Sequence, residues 1–173
     1  VNSYLDYLEQ AYLVRRLQPY SANIRKRLVK SPKVYWRDSG LLHALMGVAS
    51  LEALLTQPWV GNSWEGWVIE QILVSLKNQG IDFEPYYFRT SQDHEIDLVV
   101  VCRGTLWAIE AKLTTHPTRE DVRRLEKAAA LIGAEKCILV TRCDATIQGG
   151  QTMITDIASA LKSISRDACS QPA

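Results

Sequence analysis

The sequence predicts an α/β fold: a mixed sheet with helices packed on both faces. Three observations predict it. "HEIDLVVVCRGTLWAIEAK", residues 94–112, reads as two strands joined by a tight turn at Arg103-Gly104, which makes them an antiparallel hairpin. "TREDVRRLEKAAALIGA" then carries helical spacing and leads into "EKCILVT", a short buried strand. A helical crossover to a further strand in the same sheet is right-handed. Finally, "NSWEGWVIEQILVSLKNQG" supplies a long helix before the hairpin, so the order from there on is α-β-β-β-α-β-α.

Each element has a local reason. At the start, Tyr4, Leu5, Leu8, Ala11 and Tyr12 follow helical spacing, and Leu13 to Leu17 can form a strand. "KVYWRDSG" supplies an antiparallel partner for that strand across a basic loop. A helix followed by a hairpin with a long basic loop is the pattern of the last part of a winged helix, so residues 1–47 are expected to be a partial winged-helix segment and 48–173 the main domain. "DSGLLHALMG" is a helix capped by Asp38 or Ser39 and stopped at Gly47. "SLEALLTQPW" is a shorter helical piece that breaks at Pro58, and the long helix ends at Gly80. "EPYYFRT" is a strand. Thr118 caps the crossover helix, since Asp121 stands three residues later. "ITDIASALKSIS" closes the fold as an amphipathic helix.

A hydrophobic content of 47% with 23% charged residues excludes a disordered tail and fits a globular domain with one sizeable core. The longest apolar runs are too short for a bilayer. Four cysteines without a CxxC pair do not suggest a zinc site, and a reducing cytoplasm is the expected location. The chain opens on Val1 and runs straight into a helix, as expected of a piece of a longer protein. The net charge of +1 hides a basic beginning, in which Arg25, Lys26, Arg27 and Lys30 share one loop. Those four residues are candidates for phosphate contact, with a solvated surface the equally open alternative.

The hairpin places acids where sheet core is expected. If Arg103 and Gly104 form a two-residue turn, 101 pairs with 106, 99 with 108, and 97 lies across from 110. By alternation Asp97 then shares a face with Val99 and Val101, and Glu110 and Lys112 share one with Leu106 and Ala108. Opposed carboxylates destabilise a strand pair, and burying them costs more unless a cation neutralises them. On the preceding helix Glu65 is in line with Val68, Ile69 and Ile72, whereas Glu70 falls off that face. Glu65 is therefore a third acid aimed at the sheet. Two or three carboxylates in one place suit a hard divalent cation, Mg²⁺ or Mn²⁺. Without a metal, Lys112 is expected to form a salt bridge to Glu110 or Asp97.

Glu65, then Ile96-Asp97, then Glu110-Ala111-Lys112 resembles the motif of the PD-(D/E)XK nuclease superfamily, with Ile96 in place of the usual Pro. A longer stretch, from "YLDYLEQAYLVRRLQPYSANIRKRLVKSPKVYWRDSGLLHALMG" through "GNSWEGWVIEQIL", "YYFRTSQDHEIDLVV" and "IEAK", resembles an uncharacterised domain at the C-terminus of prokaryotic AAA-type ATPases. The resemblance implies a restriction-endonuclease-like domain in a cytoplasmic prokaryotic protein. Glu65, Asp97, Glu110 and Lys112 would be its catalytic residues, and Glu65, Asp97 and Glu110 its metal ligands. DNA, the ATPase module of the parent chain and further copies of the chain are the implied partners. The chain contains no GxxxxGK[ST], so ATP binding by that motif is not expected of it. A non-catalytic DNA-binding or regulatory module stays open as the competing function, and a purely structural oligomerisation domain as a third.

Overall fold

The computed structural model describes residues 2–21, 31–92 and 94–170. The basic-loop candidates Arg25, Lys26, Arg27 and Lys30 lie outside the described residues. Helix α1 (Asn2–Gln10) leads into the hairpin β1 (Val14–Pro19) and β2 (Lys33–Trp36). Two short helices follow, α2 (Ser39–Leu45) and α3 (Leu51–Leu55), with Asp38 and Ser50 as their caps. The long helix α4 (Val60–Asn78) precedes β3 (Phe83–Arg89), β4 (Glu95–Cys102) and β5 (Thr105–Ala111). Helix α5 (Arg119–Ile132) crosses to β6 (Lys136–Val140), and β7 (Ile147–Gly149), β8 (Thr152–Thr155) and α6 (Ile157–Ser170) complete the fold.

Among the described residues the strands form one eight-stranded mixed sheet in the order β2-β1-β3-β4-β5-β6-β8-β7. The Arg103-Gly104 turn forms as the sequence predicts. Both residues have positive φ, 47° and 81°, as a two-residue hairpin turn of this twist requires, and glycine adopts that conformation without strain. The register runs from Cys102↔Thr105 to Leu98↔Ile109, so Asp97 and Glu110 come next. The crossover helix carries a full capping box between Thr118 and Asp121.

Two cores sandwich the sheet. Leu98, Val100, Trp107 and Ile109 pack with Val68, Ile69, Ile72 and Leu76 of α4 and with Ala160 and Ile164 of α6. Val99, Leu106, Ala108 and Leu139 pack with Leu125, Ala128 and Ala129 of α5. None of the described helices is long and apolar enough to cross a membrane.

Three expectations need correction. The first hairpin is not a separate wing: β1 pairs in parallel with β3 and extends the main sheet. Glu70 is buried rather than off the packed surface, because Arg15 and Arg37 of the hairpin region both bind its carboxylate. The segment "TMIT" is strand β8, and the last helix starts only at Ile157. Pairing with β6 and with the three-residue β7 overrides the helical spacing that Ile154 shares with α6.

Candidate active site

Between Tyr86 and Phe88 the register of β3 against β4 slips by one residue: Tyr86 pairs with Val99 but Phe88 with Ile96. The bulge falls at Asp97. Simple alternation would put Ile96 and Val99 on opposite faces, yet both belong to the core beneath α5. A bulge breaks the alternation and re-aims a side chain. The expected shared face of Asp97, Val99 and Val101 is lost as a result. Asp97 Oδ2 instead accepts a hydrogen bond from the backbone N–H of Ala111 at 3.1 Å. Its Oδ1 lies 3.3 Å from Lys33 Nζ.

Lys33 is the centre of a small ionic cluster. Its ammonium is 3.0 Å from Glu65 Oε1 and also binds Glu95. The Tyr35 hydroxyl donates to the same Glu65 oxygen. Gly66 makes this approach of β2 to α4 possible, since a Cβ there would come within 3.2 Å of the Tyr35 ring. Arg89 reaches Glu95 from the rim at 3.6 Å. Glu65, Glu95, Asp97, Glu110 and Lys112 all line one cavity of about 730 Å³, within the size range of ligand sites.

The acids differ in their surroundings. Burial raises the Asp97 carboxyl well above the usual carboxylate range, and the charges of Glu110 and Glu65 push it further, against the pull of Lys33. Burial, then Glu65 and Glu95, likewise raise Glu110. Glu110 Oε2 is buried with no hydrogen-bond partner, a costly condition for a carboxylate. Burial alone would lower Lys33, but Asp97, Glu65 and Glu95 outweigh it and hold the ammonium above its ordinary value.

The structure thus brings Glu65, Asp97 and Glu110 to one cavity and leaves Lys112 with a different partner. The Lys112 ammonium binds Asp121, the acid of the α5 capping box, and not Glu110 or Asp97. Sequence reasoning missed Lys33, Tyr35 and Glu95. Glu95 carried a usable signal, two residues from Asp97 in a strand. Lys33 and Tyr35 carried none, because their approach to α4 depends on long-range packing.

The sequence profile of a domain of unknown function, DUF4143, matches residues 60–160, more than half of the chain. The chain belongs to the DUF4143 family. A second domain of unknown function, DUF8612, matches residues 1–52. Uncharacterized proteins of Mycobacterium bovis and Mycobacterium tuberculosis are each 46% identical to this DUF4143 chain over 115 residues, 66% of its length. The matched part is 25% of each relative, so the chain spans about a quarter of the curated relatives it matches.

A divalent cation can be tested against this donor set. Carboxylate oxygens are the ligands a hard cation takes, and the orphaned Glu110 Oε2 is an open acceptor. Four carboxylates face two cations, Lys33 and Arg89, which leaves two negative charges when all are ionised. Among the described residues, however, no three His, Cys, Asp or Glu side chains are drawn together closely enough to hold an ion. Lys33 stands between Glu65, Glu95 and Asp97. The donor chemistry and charge fit a divalent cation, and binding it would require these side chains to rearrange around Lys33.

Proposed function

We propose that this DUF4143 chain is a metal-dependent nuclease-like domain that hydrolyses DNA phosphodiesters, and that it forms the C-terminal part of a AAA-type ATPase. The observation that carries the reading is the pair of under-neutralised carboxylates, buried Asp97 and half-buried Glu110, the latter with one buried oxygen unpartnered. A surplus of buried negative charge at a cavity mouth is unfavourable for folding alone, and such arrangements concentrate at functional sites.

Asp97 and Glu110 would hold Mg²⁺ or Mn²⁺, with Glu65 as a third ligand or a holder of bound water. When bound, the cation supplies polarisation of the phosphate and a water acidic enough to attack it. The chain's own contribution is positional. Ala111 N–H fixes the Asp97 carboxylate, and Tyr35 fixes Glu65. Leu42, Met46 and Trp59 wall the cavity on the side of the short helices.

The test is cleavage of labelled single- and double-stranded DNA with Mg²⁺ or Mn²⁺. Wild type is expected to cut, and Asp97→Asn and Glu110→Gln to lose at least about 100-fold in rate. Cleavage that survives both substitutions rejects the site. A second reading, a non-catalytic DNA-binding module, draws support from Lys112, whose ammonium is engaged away from the acids. Metal-independent DNA binding without cleavage by wild type would establish it instead.

A further inference from the structure

We propose that Lys33 is the working cation of the carboxylate pocket, the group that meets the substrate phosphate there, and that Lys112 is a structural residue of the junction between β5 and α5. This rests on the reading of the pocket as a phosphodiester-hydrolysing site and deepens it.

The two lysines differ in what already occupies them. Lys112 binds Asp121, which also accepts from the Thr118 backbone and hydroxyl, at 2.8 and 2.7 Å, to close the start of α5. Drawing Lys112 to a phosphate would break that arrangement. Lys33 already stands among the acids, 3.0 Å from Glu65 and 3.3 Å from Asp97. Its side chain keeps 22% exposure, and it lines the cavity, so an entering phosphate can reach it.

The placement of Lys33 is built by several elements. The rings of Tyr35 and Tyr87 lie 5.9 and 5.6 Å from its nitrogen, a favourable setting for an ammonium. Gly66 leaves room for β2 against α4, and the Tyr35 hydroxyl pins the Glu65 oxygen that Lys33 shares. An ammonium held beside Asp97 and Glu65 can stabilise charge developing on a phosphate that a cation on those carboxylates would hold. It also competes with a divalent cation for the same oxygens.

The experiment uses the full chain as wild type, Lys33→Met, Lys33→Arg and Lys112→Met. Mn²⁺ titration and Mn²⁺-dependent cleavage of labelled DNA are measured on each. Removing a cation from the acids should tighten Mn²⁺ binding in Lys33→Met by about fivefold or more, while cleavage falls by about 100-fold. Lys33→Arg should bind Mn²⁺ within about twofold of wild type and recover a substantial part of the cleavage. Lys112→Met, which loses one half-exposed ion pair, should match wild type within about threefold in both assays. Should Lys33→Met not fold, Lys33→Gln takes its place: a cleavage loss of about 100-fold supports the assignment, and cleavage within about threefold of wild type overturns it. A wild type that binds Mn²⁺ and cleaves, but depends on Lys112 and not on Lys33, overturns this inference alone. A wild type that neither binds Mn²⁺ nor cleaves overturns the underlying reading of the pocket as well.

Discussion

Glu70 is a buried acid and Glu110 a half-buried one with one oxygen fully enclosed, and their neighbours give them opposite energetics. Glu70 meets two guanidinium groups, Arg15 and Arg37, and the latter also lies 5.2 Å from the Tyr12 ring. Replacing Glu70 with Ala leaves two partly buried arginines unpaired, and a loss of about 2–3 kcal/mol is expected in urea unfolding, below the fully buried case because both arginines keep some solvent. Glu110 has repulsive neighbours instead, so Glu110→Gln should stabilise the protein in the absence of divalent ions, by about 1 kcal/mol near pH 8. The sign follows from linkage. A carboxyl raised in the folded state incurs its penalty as pH climbs from the ordinary carboxylate value through the raised one, so the gain from Glu110→Gln should vanish toward pH 4. Thermal melts across that range check it. Millimolar Mn²⁺ should raise the wild-type melting temperature, by an amount equivalent to about 2.7 kcal/mol at a hundredfold excess over Kd, and should leave Glu110→Gln unmoved. That Asp97 and Glu110 come together was legible in the sequence because a hairpin register is local arithmetic. Their counter-ion was not, because Lys33 is separated from Asp97 by 64 residues and no periodicity links them.

At the scale of elements, α4 and α5 each tie one strand to the site. Gly66 is where α4 meets β2, and a larger residue must push Tyr35 away. Gly66→Val should cost about 1–3 kcal/mol from overpacking and should weaken Mn²⁺ binding by disturbing Glu65, as melting and titration would show. On α5, Asp121 is pulled in two directions: burial raises its carboxyl, but hydrogen bonds from Lys112 and Thr118 outweigh burial and hold it at about 2. A depressed acid contributes stability above its unfolded value, near 3.9, and loses it as pH falls toward the folded one. Asp121→Asn should therefore be less stable than wild type at pH 7, with the difference shrinking between about pH 4 and pH 2. The Thr118–Asp121 spacing announced this cap in the sequence. By contrast β7, only three residues long, and β8, adjoining a helical pattern, had no strand signal strong enough to read. The bulge at Asp97 was equally silent, since it depends on how β3 lies against β4.

For the whole molecule, the decisive fact is that the first hairpin and the later strands share one sheet. The mixed α/β architecture was legible because helix and strand periods alternate along the chain. The integration of the hairpin was not, because a parallel pairing of β1 with β3 bridges more than sixty residues. Leu17 and Tyr35 from the hairpin are buried in the same core as Ile69 and Leu98. The intact chain should therefore unfold in a single cooperative transition, the same by fluorescence and circular dichroism. A fragment of residues 48–173 should be markedly less stable and prone to association, because it bares the edge of β3 and removes both partners of Glu70. Two separated transitions in the intact chain would refute this.

The Lys33–Glu65 contact also bears on inheritance. Lys33 falls within the DUF8612 match at 1–52, whereas Glu65, Glu95, Asp97 and Glu110 fall within the DUF4143 match at 60–160. The pocket is thus co-owned by two stretches that sequence comparison recognises separately. A hybrid gene whose first stretch lacked a lysine at this position would reset the pocket's charge without altering a single one of its acids.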